Sequence, residues 1–167
     1  MKLRHAILAL VVVAVAGVAA YARYFGVQMA PDVVFTSIRG ERIPAADLRG
    51  RVVLVNFWAT DCPVCVREMP HLVQTYTRYQ PRGLELIAVA MRYDPPNYVL
   101  DYVQREALPF KVALDPMGEL AKAFGDVRLT PTTFLIDKRG HIVERILGEP
   151  DFPRLEKLIE QKLSEVI

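Results

Sequence analysis

The sequence predicts an α/β domain, a mixed sheet covered by helices on both faces, standing behind one amino-terminal apolar segment. Runs of β-branched and aromatic residues alternate with stretches of helical periodicity, the chain closes on a strand pair and an amphipathic helix, and a long uncharged run precedes the whole. At 167 residues the chain has the length of one ordinary domain. Its 52% hydrophobic and 24% charged residues exclude a disordered or collagen-like chain. A net charge of +2, with no dense basic stripe after residue 25, argues against nucleic-acid binding.

Residues 6–22 carry no charge and follow Lys2 and Arg4. As a helix this run measures about 26 Å, close to the lower limit for crossing a bilayer core of roughly 30 Å. The preceding positive charges place residues 1–5 in the cytoplasm and everything after the span on the extracytoplasmic or periplasmic side. Ala20-Tyr21-Ala22 has the small-x-small form of a signal-peptidase site, which leaves a cleaved, soluble periplasmic product as the alternative. A retained single-pass anchor is favoured, because the run exceeds the ~7–15 residues of a signal-peptide core. Residues 23–32 then form a tether and residues 33–167 the exported domain.

Along the domain, residues 33–38 predict an edge strand, with a connecting turn at Asp47-Leu48. Residues 52–58, VVLVNFW, predict a central strand buried on both faces. From Cys62 the apolar residues Val66, Met69, Leu72, Val73, Tyr76 and Tyr79 recur at helical spacing, with a kink expected at Pro70. Strands follow at 84–91 and 110–114, separated by a helix at 98–107 that begins after Pro95-Pro96. A short helix at 119–124 leads to strands at 132–137 and 142–147 joined by Lys138-Arg139-Gly140, and an amphipathic helix at 152–166 ends the chain.

Two cysteines, Cys62 and Cys65, stand at the junction of the central strand and its helix. A sulfur in the first helical turn faces unpaired N–H groups and the positive end of the dipole, which favour thiolate and make Cys62 the expected nucleophile. Cys65, one turn on, is placed to resolve a mixed disulfide formed on Cys62. Pro63 has the fixed φ of a first helical residue. The competing readings are a structural disulfide, two unrelated buried thiols, or half of a zinc site; the last would need two further ligands, and only His71 and His141 are at hand in the domain. No metal and no organic cofactor is called for, because the two sulfurs carry the electrons themselves.

Phe57-Trp58-Ala59-Thr60-Asp61-Cys62-Pro63-Val64-Cys65, followed by Glu68 and Pro70, resembles the active-site segment of the thioredoxin superfamily, in particular its exported, membrane-anchored TlpA/ResA/CcmG-like branch. A second segment, Leu129-Thr130-Pro131-Thr132-Thr133-Phe134-Leu135-Ile136-Asp137 and then Gly140, resembles that family's cis-proline loop and closing hairpin. The resemblance implies a thioredoxin fold with an amino-terminal hairpin and a helix-strand insertion at residues 95–115. It also implies a cis bond before Pro131 that holds the Thr130 backbone beside the sulfurs to pair with a bound peptide, and a substrate-contacting role for Trp58.

Two departures from the general thioredoxin pattern matter. Asn56 replaces a buried aspartate and cannot take a proton, so the resemblance turns to Glu68 as the acidic group near Cys65; an exposed helix carboxylate is the competing reading of that residue. Asp61 replaces the usual tryptophan before the first cysteine, where it is expected to cap the helix and to oppose ionisation of Cys62.

The implied activity is a thiol-disulfide oxidoreductase that reduces disulfides in exported proteins, apocytochrome c foremost, and draws electrons from a membrane donor. A thiol oxidase is the same chemistry in the opposite direction. A copper-handling domain holding Cu(I) between the two thiolates is the alternative from a different class.

Overall fold

The computed structural model describes His5, Gly17 and residues 28–166. Gly17 apart, the apolar run at residues 6–22 lies outside the described residues, as does the tether up to residue 27. Among the described residues no helix is long and apolar enough to cross a membrane.

Strands β1 (Val34–Thr36) and β2 (Arg42–Pro44) pair antiparallel in a sheet of their own, followed by a 3-10 turn at Ala45–Leu48. Then come β3 (Val52–Trp58), α1 (Pro63–Tyr79), β4 (Leu84–Ala90), α2 (Pro96–Arg105), β5 (Lys111–Leu114), α3 (Glu119–Ala123), β6 (Thr132–Ile136), β7 (Ile142–Leu147) and α4 (Phe152–Ser164). The main sheet runs β5-β4-β3-β6-β7. Its β3–β4 and β4–β5 pairs are parallel and its β3–β6 and β6–β7 pairs antiparallel, so the sheet is mixed as the pattern predicts.

Every residue of β3 and β4 is buried, which the lack of polar alternation in VVLVNFW and LELIAVA anticipates. Alternation along β3 divides the core. Leu54 and Trp58 join Met69, Leu72, Leu86, Tyr102, Leu155 and Ile159 on one face. Val53, Val55 and Phe57 join Phe35, Ile87, Phe124 and Phe134 on the other. Asn56 shares its parity with Leu54 and Trp58, so it points toward the α1 side. On the opposite side Phe124 meets Phe57 edge-on at 5.4 Å and tilts against Phe134 at 5.0 Å.

The expected amino-terminal hairpin is present, and the start of the second helix is corrected. The first strand lies apart from the main sheet, as one arm of the expected amino-terminal hairpin. It turns back at Ser37 and Gly40 to make the β1–β2 hairpin, which meets β5 through the Ser37–Ala113 bridge, the Ile38 N–H donating to the Val112 carbonyl and the Glu41–Lys111 ion pair. Pro95-Pro96 starts α2 instead of standing clear of it, since a proline fits the first helical position. The helix α1 includes Pro70 and continues to Tyr79. The insertion at residues 95–115 supplies α2 and β5.

Asp115 ends β5 and is buried, accepting from the backbone N–H groups of Leu120 at 3.1 Å and Ala121 at 2.8 Å. It thereby holds α3, whose leading residue Gly118 has φ +72. Asp115→Ala strands two buried donors and is expected to cost about 2–4 kcal/mol in urea unfolding, with Asp115→Asn nearer 1 kcal/mol because one acceptor remains. Equal losses in the two variants would show that the carboxylate does not hold the helix.

Candidate active site

β3 delivers the chain to the sheet's carboxyl end, and the loop that follows is tied down before it reaches the sulfurs. The Thr60 N–H donates to Asp94 Oδ2 at 2.7 Å and the Thr60 hydroxyl to Oδ1 of the same buried carboxylate. Cys62 then opens α1. Its φ of −94 and ψ of 106 are extended, and its Sγ accepts the Cys65 N–H at 3.2 Å, so the cysteine itself caps the helix, with Pro63 in the first turn. Asp61 does not cap. It stands one residue outside the cap and is exposed, with no hydrogen bond or ion pair among the described residues.

Cys62 and Cys65 are joined in a disulfide. Cys62 is 9% exposed and Cys65 0%, so attack from solvent can reach only the first sulfur. The main-chain N–H aimed at Cys62 Sγ favours negative charge on that atom whenever the bond is opened. Across from it, Thr130–Pro131 is a cis bond as expected, and the Thr130 carbonyl oxygen lies 3.6 Å from Cys62 Sγ. The loop is pinned on both sides: the Thr132 hydroxyl donates to the Leu129 carbonyl at 2.7 Å, and the Gly148 N–H to the Pro131 carbonyl at 2.8 Å.

One helical turn beyond Cys65, Glu68 is completely buried, which removes the reading of an exposed carboxylate. Asn56 Nδ2 donates to Glu68 Oε1 at 2.9 Å and to Thr133 Oγ1 at 3.0 Å. Asn56 and Thr133 are register partners across β3 and β6, so one amide ties two strands to the helix below the sulfurs. Burial raises the Glu68 pKa from 4.5 to about 7, against the lowering effect of the Asn56 hydrogen bond. Oε2 has no hydrogen-bond partner among the described residues. A carboxyl group in this setting can take up and release a proton near neutral pH.

Trp58 is misplaced by the resemblance. It is 0% exposed and tilts against Tyr102 at 5.2 Å, so it packs the floor of the site and offers no surface to a substrate. His71 is exposed and meets Phe152 edge-on, while His141 Nδ1 pairs with Asp137 at 3.1 Å. Among the described residues no three His, Cys, Asp or Glu side chains are gathered to hold a metal ion. Sequence reasoning missed Tyr93, whose hydroxyl lies 3.2 Å from Thr130 Oγ1, and Asp94. The only signal for either was their position just after the second buried strand.

A thioredoxin-type sheet with a Cys-x-x-Cys disulfide at the start of its first long helix and a cis-proline loop facing it defines a thiol-disulfide oxidoreductase. The chain belongs to the Redoxin family, whose sequence pattern it matches over residues 19–159. It is 37% identical over 132 residues to the thiol-disulfide oxidoreductase ResA of Bacillus thuringiensis subsp. konkukian, covering 79% of this chain and 75% of that one. Against ResA of Geobacillus kaustophilus the identity is 34% over 165 residues, with 95% and 93% covered. Among solved structures, a Neisseria meningitidis protein described as a thioredoxin superposes with a TM-score of 0.76 at 38% identity, over 81% of this chain and 90% of that one.

The buried carboxyl makes stability depend on pH. The folded state holds the Glu68 proton more tightly than the unfolded chain does, so its contribution is fully present below pH 4.5 and is lost as pH rises through about 7. A shift of this size corresponds to about 3 kcal/mol. Glu68→Gln keeps an acceptor for Asn56 and removes the charge, and is expected to be more stable than the parent at pH 8 by up to that amount and nearly equal to it at pH 4. Denaturant titrations at the two pH values check this, and parallel losses at both would contradict it.

Proposed function

We propose that the chain is a membrane-anchored, extracytoplasmic reductase of disulfides in exported proteins, with apocytochrome c as its substrate class and a membrane protein as its electron donor. The observation that carries the reading is the asymmetry of the site: Cys62 reaches solvent at the helix start, whereas Cys65 and Glu68 are sealed beneath it. The uncharged run at residues 6–22 behind Lys2 and Arg4 supports the anchor and the orientation. The ResA relatives support the reaction class.

In the reduced protein the Cys62 thiolate attacks one sulfur of a substrate disulfide. That S–S bond breaks, a mixed disulfide forms on Cys62 and the other substrate sulfur leaves as a thiolate. Cys65 then passes its proton to the Glu68 carboxylate and attacks Cys62 Sγ. The second substrate thiolate departs, two electrons have moved to the substrate, and the Cys62–Cys65 disulfide remains. Glu68 serves here as the base that Asn56 cannot be. Thr130, on the cis-proline loop beside Cys62, offers its backbone to pair with the substrate strand, with Pro131 holding the bend.

Cys65→Ser is expected to accumulate mixed disulfides through Cys62, and Cys62→Ser to trap almost none. Mass spectrometry that found substrate joined to Cys65 would reverse the two roles. The direction of the reaction is tested by the reduction potential, expected nearer thioredoxin's ~ −270 mV than the roughly −120 mV of a strong oxidase; a value above about −180 mV would reject a reductase. Asp61 contributes to that direction, since a carboxylate next to Cys62 disfavours the thiolate. Because Asp61 does not cap α1, Asp61→Asn alters charge with little effect on the helix. It is expected to raise the potential by roughly 10–20 mV, equivalent to about 0.5–1 kcal/mol, in glutathione redox buffers. An unchanged potential would remove Asp61 from the account.

A further inference from the structure

A groove of about 720 Å³ opens beside the cis-proline loop, between the loop that follows β4 and the α3 region. Its polar lining is Arg92, Lys122 and Arg128 against the single carboxylate of Asp126. Arg128 is paired with Asp126, whereas Arg92 and Lys122 are exposed and make no ion pair among the described residues. The other acidic groups nearby are turned away from the groove and form no ion pair with Arg92 or Lys122. Both oxygens of Asp115 are taken by the N–H groups of Leu120 and Ala121, those of Asp94 by Thr60, and Glu119 faces the neighbouring depression beside β1.

The groove is also unusually apolar at its edges for exposed surface. Tyr93 is 51% exposed, Met117 75% and Leu129, next to the cis-proline loop's Thr130, 62%. Thr130 links it to the redox site, since the Tyr93 hydroxyl lies 3.2 Å from Thr130 Oγ1 and the Thr130 carbonyl 3.6 Å from Cys62 Sγ. A segment attached to a sulfur at Cys62 and running past Thr130 would enter it directly.

We infer that this groove seats the stretch of substrate polypeptide flanking the reacting cysteine, and that it selects segments carrying carboxylates together with an apolar side chain. Arg92 and Lys122 supply the attraction, and Tyr93 and Met117 the apolar contact. The inference rests on the reading that Cys62 exchanges with polypeptide disulfides, and it adds the chemistry by which those polypeptides are chosen. An anionic bilayer surface is the competing occupant of a basic, apolar-edged face on a tethered domain.

The test uses the reduced full-length chain in neutral detergent and two disulfide-bonded peptides of equal length, one with Asp and Glu flanking its cysteines and one with Lys and Arg. Second-order rate constants for release of peptide thiols are expected to favour the acidic peptide by about tenfold at low salt, the size of two or three exposed ion pairs, and to converge as salt screens them. Arg92→Glu combined with Lys122→Glu is expected to reverse the order, and Arg92→Gln with Lys122→Gln to erase it. Equal rates for the two peptides with the parent, or an acidic preference that survives charge reversal, would overturn the inference. So would equal peptide rates accompanied by a loss of binding to phosphatidylglycerol vesicles on charge reversal, which would assign the face to lipid. The neutral 2-hydroxyethyl disulfide separates the two levels: a parent that reduces it without discriminating between the peptides keeps its redox function and loses the groove, whereas a parent inert to all three disulfides loses both.

Discussion

The hydrogen bond from Asn56 to Glu68 is the constraint on which the site depends. It joins the central strand to the helix that bears the cysteines, and the second N–H of the same amide reaches Thr133 on the strand leading out of the cis-proline loop. Three elements that meet at the sulfurs are thus fixed by one side chain below them. The arrangement follows from strand alternation, which turns Asn56 toward the helix, and from helical spacing, which turns Cys65, Glu68, Met69 and Leu72 toward the sheet. A carboxyl group placed there has lost its water, and the single donor it receives does not compensate for a full charge. Its proton affinity rises into the neutral range for that reason.

The two sulfurs differ for a separate reason, which is geometric. Cys62 is at the end of the helix, where unpaired N–H groups face outward and solvent can enter. Cys65 is inside, where neither applies. A first attack at Cys62 followed by a second from Cys65 needs a proton acceptor on the buried side only, and the only carboxyl sealed into that helix's inner face is Glu68. Asp94 contributes by holding Thr60, so that the turn between strand and helix presents Cys62 in one position.

Much of this was legible from residues alone, because the elements that matter are long and strongly patterned. The bounds of β3 and β7 coincide with those read from the sequence, and the alternation of strand and helix implied the sheet. The Cys62-Pro63-Val64-Cys65 segment was legible as a helix start because proline there has few other uses. What escaped was set by tertiary contact. Whether Glu68 faces the sheet or solvent depends on the rotation of α1, and periodicity left both open. Trp58 falls at a strand end, where one residue decides between surface and core, and Tyr102 from the inserted helix covers it. Asp61 has the chemistry of a cap, but the backbone turns helical one residue later than a cap at Asp61 requires. Tyr93 and Asp94 act across the fold on residues distant in sequence, which no local pattern reveals.

The most direct test is the titration of the Glu68 carboxyl itself in the oxidised chain, read as the protonated-carboxyl C=O stretch in the infrared difference between the parent and Glu68→Gln. A buried, singly hydrogen-bonded acid predicts a band that is half lost at about pH 7. A band already gone by pH 6, with its midpoint near the ordinary value of 4.5, would mean that water reaches the carboxyl and that the proton acceptor beneath Cys65 does not exist in the form described.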